Sequence, residues 1–205
     1  MEDESAWHHI TGSCLQEKII RNKKGGDVML FQQGNLQVRK LEEYDKYFLE
    51  KWLSDADILK YYEGRDNPFN MEKVTAKFYG KEDDVVRCLV LFAGNPIGYF
   101  QFYPLEEKEV NDWYNGEEGI YYGMDQFIGE PTYWNRGIGT LLIRAACRYL
   151  TKNLRADKIV MDPQSWNTRA QKAYEKCGFN KVKLLPEHEW HEGAYRDCWL
   201  MEYTD

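Results

Sequence analysis

Residues 85–104, VVRCLVLFAGNPIGYFQFYP, narrow the choice of folds more than any other stretch of this 205-residue chain. They are two apolar, aromatic-rich runs separated by a Gly-Asn-Pro turn. A connection that short joins antiparallel neighbours, because parallel strands need a crossover of about a dozen residues or more. The segment predicts a β-hairpin, and a hairpin in mid-sequence excludes an all-parallel sheet.

The flanking segments supply the other layers. Upstream, NLQVRKL (residues 35–41) alternates like a strand, and YDKYFLEKWLSD (44–55) sets Tyr44, Phe48, Trp52 and Leu53 at helical spacing. A second helix is predicted over residues 71–78. Downstream, IYYGMDQFIG (120–129) reads as a strand. After it comes a glycine turn and a helix with Ile138, Leu141, Leu142, Ala145 and Tyr149 on one face. KIVMDP (158–163) is a strand ended by Pro163. SWNTRAQKAYEKCGF (165–179) is a capped helix with Ala170, Ala173, Tyr174 and Cys177 inward and Gly178 at its end. Residues 179–185 and 198–203 read as two closing strands separated by PEHEWHEGAYRD. Residues 105–118, LEEKEVNDWYNGEE, oppose Glu106, Glu107, Glu109, Asp112, Glu117 and Glu118 to a single Lys108, and read as an acidic aromatic loop. Residues 1–34, with KKGGD and QQGN, read as a polar, partly ordered extension. Residues 35–205 then form a single domain. The predicted class is α/β of the α+β type, a mixed, mostly antiparallel central sheet flanked by helices.

A formal net charge of −7 argues against a nucleic-acid partner, which would call for a basic face, and suits a polycationic small molecule. The five cysteines, Cys14, Cys88, Cys147, Cys177 and Cys198, are scattered with no C-x-x-C pair, and predict reduced, buried thiols in a cytoplasmic protein. No Cys/His set has zinc spacing, so no metal is expected. The N-terminal MEDESAWHH lacks the basic and apolar regions of a signal peptide, and CLVLFA (88–93) is too short to cross a bilayer.

The glycine turn sits in YWNRGIGTLLIRAACRYL (133–150), where Gly137-Ile138-Gly139 opens an amphipathic helix. Helix N-termini collect unpaired N–H groups and the positive end of the dipole, so such a turn suits a phosphate. A dinucleotide fingerprint fails because the third glycine of G-x-G-x-x-G is missing and the preceding strands are hairpin-paired. A Walker loop fails for want of G-K-[ST].

One strand after the turn lies Asn167-x-x-Ala170-x-x-x-Tyr174-x-x-x-Gly178-Phe179. The two motifs together resemble the GNAT superfamily of acetyl-CoA-dependent N-acetyltransferases. The resemblance implies that the turn's amides hold the cofactor pyrophosphate and that Tyr174 faces the thioester sulfur. The implied acetyl-CoA site comprises Gln126, Phe127, Ile128, Trp134, Asn135, Arg136, Gly137, Ile138, Gly139, Thr140, Asn167, Ala170 and Tyr174. The family pattern has Gln or Arg three residues before the first glycine; here Trp134 stands there. WLSD (52–55), YYEGRD (61–66), PIGYFQFY (96–103), YGMDQFIGEPTYWNRGIGT (122–140), DP (162–163) and LPEHEWHEG (185–193) are similar to the aminoglycoside 6'-N-acetyltransferases, from about residue 35 to the C-terminus.

That likeness implies acetylation of an aminoglycoside 6'-amine, antibiotic resistance, and a monomer or homodimer. A primary amine with a pKa of ~10.4 arrives protonated, so a base is needed. Asp125 is the implied base and Tyr174 the implied donor to the departing thiolate, with the N–H groups of Gln126, Phe127 and Ile128 available to the carbonyl oxygen. The implied acceptor contacts are Trp52, Tyr61, Tyr62, Asp66, Gln101, Asp112, Trp113, Glu117, Asp125 and Asp162; Trp52 also fits a core position. Glu187, His188 and Glu189 read equally as pocket or loop. Two alternatives stay open: a GNAT enzyme for a polyamine, siderophore precursor or protein N-terminus, and a silent acyl-CoA-binding sensor.

Overall fold

The computed structural model describes residues 29–80 and 82–204. Eight strands make one sheet in the order β1-β2-β3-β4-β5-β6-β8-β7. They are β1 (Met29–Gln33), β2 (Leu36–Lys40), β3 (Val86–Phe92), β4 (Asn95–Pro104), β5 (Tyr121–Ile128), β6 (Lys158–Met161), β7 (Asn180–His191) and β8 (Ala194–Tyr203). Only β5 and β6 pair in parallel, and they do so across a helical crossover. The helices are α1 (Lys46–Leu53), α2 (Ala56–Leu59), α3 (Met71–Val74), α4 (Glu107–Tyr114), α5 (Ile138–Asn153) and α6 (Thr168–Glu175). The predicted second helix is α3 continued by a π turn over Thr75–Tyr79.

The two-residue period of the strands sorts side chains into two cores. Cys88, Val90, Phe100, Phe102 and Met124 face the side covered by α5 and α6, where Leu142, Ala146 and Leu150 meet them. Leu89, Tyr99 and Phe127 face the other side, against Leu49, Trp52, Leu53, Ile58 and Phe78 of the α1–α3 arm. The helices thus form a layer on each face of the sheet, and Cys88, Cys147, Cys177 and Cys198 are buried and free.

The structure differs from the sequence reading at three elements. Residues 1–28 of the expected extension lie outside the described residues, but Met29–Gln33 is a strand, hairpin-paired with β2 around Gly34 at φ +59°. Its anchor in a polar context is Phe31, packed on Tyr149 at 5.3 Å and edge-on to Phe100. Residues 105–118 are not a loop, because Glu107–Tyr114 is helical. Its cap is a reciprocal Glu106–Glu109 box in place of the usual Ser or Thr, Lys108 reaches Asp112 at 2.8 Å one turn on, and Asn115 ends it at φ +52°. Trp113 and Tyr114 pack on Val160, Leu185, Cys198 and Leu200. PEHEWHEGAYRD, read as a separator, is the far half of the β7–β8 hairpin, turned at Glu192 (φ +49°) and Gly193 (φ +78°). β7 is the sheet's edge and buries only Leu185 and His191, so it lacks the alternation that announces a half-buried strand.

Candidate active site

The site grows from a gap in the sheet. β5 and β6 pair at three positions, Tyr121 with Lys158, Tyr122 with Ile159 and Gly123 with Val160, and then part. Residues 124–128 remain paired with β4 alone, so one edge of β5 lies unpaired. Strand alternation sends Gln126 toward the α5–α6 side and Asp125 toward the α1–α3 side. Two cavities meet at this strand, and they share Tyr61, Gln126, Asn167 and Tyr174 in their walls.

The larger cavity, about 690 Å³, is lined by the glycine turn, the start of α5 and one face of α6. Every residue singled out above for the cofactor lines it except Arg136, whose guanidinium lies 5.4 Å above the Tyr133 ring. Gly137 takes φ +76° at the N-cap of α5, and no side chain caps the helix. A Cβ at Gly137 or Gly139 would meet nothing within 4 Å, so bare first-turn amides face open space. The Trp134 indole donates to the Ile128 carbonyl at 2.7 Å, tying the loop to the end of β5, so this tryptophan is a wall rather than a phosphate ligand. Asn167 accepts from the Ala170 amide at 3.1 Å and caps α6. The Gln126 side-chain oxygen is buried without a partner. An uncapped helix start and an orphaned acceptor fit a ligand with phosphates and amide N–H groups, which is the chemistry of acetyl-CoA.

The smaller cavity, about 300 Å³, holds the carboxylates. Tyr99 donates to Gln101 at 2.6 Å, and Gln101 donates to Asp125 at 2.7 Å. Burial, then repulsion from Asp162 and Glu189, push the Asp125 carboxyl up to about 7. Asp162 bonds the His188 ring at 3.0 Å and raises that imidazole. Glu189 accepts from Gln164 at 2.7 Å, and burial raises it too. Tyr61, Tyr62, Asp125 and Asp162 line this cavity as the sequence suggested, and Gln101 reaches it through Asp125.

The remaining acceptor candidates stand elsewhere. Trp52 is 1% exposed, stacked on Phe48 and bonded to Glu130, so it is core. Asp66 is exposed and lines neither cavity. Asp112 pairs with Lys108, Trp113 packs from α4 onto Val160, Leu185, Cys198 and Leu200, and Glu117 turns to Lys158 at 3.5 Å, because the acidic segment is a helix laid on the sheet. In their place the structure brings Glu63, Tyr103, Gln164, Trp166 and Glu189 to the cavity. Of these, Glu189 was visible in LPEHEWHEG, whereas Gln164 and Trp166 flank the DP motif without any spacing signal.

Tyr174 joins the two cavities. Its hydroxyl accepts from the Gln126 amide at 3.0 Å, and burial, with Asp125 nearby, holds it well above the usual tyrosine range, so it keeps its proton. Tyr61 stacks on Trp166 at 5.8 Å and meets Trp134 edge-on, roofing the junction. The loop carrying Tyr61, Tyr62 and Glu63 is fastened to the β7–β8 turn by Arg65. Its guanidinium bonds both Glu192 oxygens, at 2.5 and 2.7 Å, and pulls that carboxyl down to about 2.

Known proteins agree with this architecture. The chain is 27% identical over 150 residues to an aminoglycoside N(6')-acetyltransferase type 1 from Klebsiella pneumoniae, covering 72% of this chain and 75% of that one, and equally to its Serratia marcescens counterpart. Among solved structures it resembles aminoglycoside acetyltransferase AAC(6')-Ib bound to ribostamycin and coenzyme A, at TM-score 0.68 and 26% identity over 83% of this chain and 94% of the other. The same enzyme bound to coenzyme A and kanamycin gives 0.67, also at 26%, over 82% and 94%. The acetyltransferase (GNAT) domain family matches residues 42–186, more than half of the chain, and takes in β3 to β6, the glycine turn, α6 and Asp125. The chain is therefore a member of the GNAT acetyltransferases.

Proposed function

We propose that this protein transfers the acetyl group of acetyl-CoA to the 6'-amine of aminoglycosides and so confers resistance, working in the cytoplasm where its co-substrate is made. The observation that carries this reading is the meeting of two unlike cavities at β5, an amide-lined groove and a carboxylate-lined pocket that share Gln126 and Tyr174. Acetyl-CoA, when bound, supplies the activated acyl group. The pocket's Asp125, Asp162, Glu189 and Glu63 suit a ligand with several ammonium groups, and Tyr61, Tyr62 and Trp166 offer ring faces to sugars.

Asp125 receives the ammonium proton, directly or through one water. Raised to about 7, its carboxyl is close to half-ionised near neutrality, where a base exchanges protons best. Tyr99 and Gln101 hold it in place. Unpaired N–H groups along the open edge of β5 face the developing carbonyl charge. Tyr174, protonated and lying between the cavities, donates to the departing sulfur.

Release of coenzyme A thiol, followed with kanamycin, its 6'-hydroxyl analogue, spermidine or a short peptide, tests this. Turnover with kanamycin but not the 6'-hydroxyl analogue is the expected result. Turnover confined to spermidine or the peptide overturns the acceptor while leaving the transferase. Coenzyme A binding without turnover of any acceptor overturns the enzyme reading.

A further inference from the structure

α6 presents an unneutralised row of cations to the larger cavity. Arg169, Lys172 and Lys176 follow at i, i+3 and i+7, a single stripe of the helix, and all three line that cavity. Among the described residues none of them has a carboxylate partner. Arg169 lies 4.9 Å over the Trp134 ring, and the neighbouring Glu175 turns away to Lys181. Elsewhere on this acidic chain Lys51, Lys77, Lys108 and Lys158 are each matched to an acid. Three like charges on one short stripe repel one another, and the cavity wall is where a bound anion would relieve them.

The same cavity already offers one anion-holding device, the bare amides from Gly137 to Thr140. A helix start suits the pyrophosphate, whose charge is spread over bridging groups. Coenzyme A carries a second and separate anion, the phosphate monoester on its ribose 3' oxygen, with a charge of about −1.5 to −2 near pH 7. We propose that Lys172 and Lys176, backed by Arg169, hold this 3'-phosphate, so that the chain selects 3'-phosphorylated thioesters over their dephospho forms. The inference rests on the acetyl-CoA reading above and is independent of the acceptor's identity.

Calorimetric titration of the purified chain with coenzyme A and with dephospho-coenzyme A is the test, since it needs no acceptor. The intact chain is expected to bind coenzyme A about tenfold more tightly than the dephospho form, as two charge-assisted contacts allow. In Lys172→Ala/Lys176→Ala the two ligands should bind alike, at about the weaker affinity. Both lysines are exposed, so the fold should survive; Lys181→Ala, whose partner is Glu175, should keep the full preference. Equal affinities in the intact chain, or a preference surviving the double substitution, would overturn the 3'-phosphate site. Failure of both ligands to bind the intact chain would overturn the acetyl-CoA reading itself and this inference with it.

Discussion

Asp125 concentrates the chemistry of the site in one titration. As the proposed base its carboxyl, raised to about 7, must be ionised to take a proton, so kcat/KM should climb with pH through about 7 before any alkaline limb. Asp125→Asn should remove that rise and cut kcat by ~10²–10⁴-fold, the usual worth of a positioned base, with coenzyme A affinity nearly unchanged. Stability follows with the opposite sense. A carboxyl raised on folding binds its proton more tightly in the folded state, so folding weakens as pH climbs from the ordinary carboxylate range to about 7. Asp125→Asn should therefore raise Tm at pH 8 and change it little at pH 4, which thermal melts at the two pH values would show. Tyr174→Phe should lower kcat by about tenfold or more and leave KM for acetyl-CoA near its original value. At this scale the sequence was most legible where a fixed spacing reflects a backbone requirement. The glycine turn and the run from Asn167 to Tyr174 both end on the cavity wall. It was least legible where only residue type spoke: Trp52, Asp66, Asp112, Trp113 and Glu117 have suitable chemistry, and tertiary packing sends them elsewhere.

The elements show why some of the fold could not be read. A helix opened by a glutamate capping box and dense in acids looks like a solvated loop until its Trp113–Tyr114 face finds β6 and β8. Glu106→Ala should remove one half of that box and cost about 1 kcal/mol, a downward Tm shift with acetyl-CoA affinity intact. The central hairpin was legible because its turn is short, yet the sequence did not show how closely β4 approaches β5. A Cβ at Gly98 would run into the Phe127 carbonyl oxygen. Gly98→Ala should thus push the two strands apart, destabilise by ~1–3 kcal/mol and reduce turnover, because β5 carries Asp125; melts and initial rates on the same sample would check both.

For the whole molecule, the legible part was the alternation of hairpins, crossover and helices that dictates a mixed sheet. The hidden part was its closure. The Arg65–Glu192 pair joins positions 127 residues apart and fixes the loop of Tyr61, Tyr62 and Glu63 over the smaller cavity. Glu192→Ala should raise KM for the acceptor a few-fold while leaving coenzyme A affinity unchanged, and Glu192→Asp should recover part of the loss. The strand order β6-β8-β7 carries a temporal consequence as well. As the chain leaves the ribosome, the glycine turn and α6 are present once residue 176 has emerged, whereas Glu189 and the Glu192 fastening come later. The residues of the larger cavity are thus all synthesised before Glu189 and Glu192, but Tyr174 of α6 packs on Phe179 and that ring on Tyr203, so both cavities take shape together when β8 arrives last.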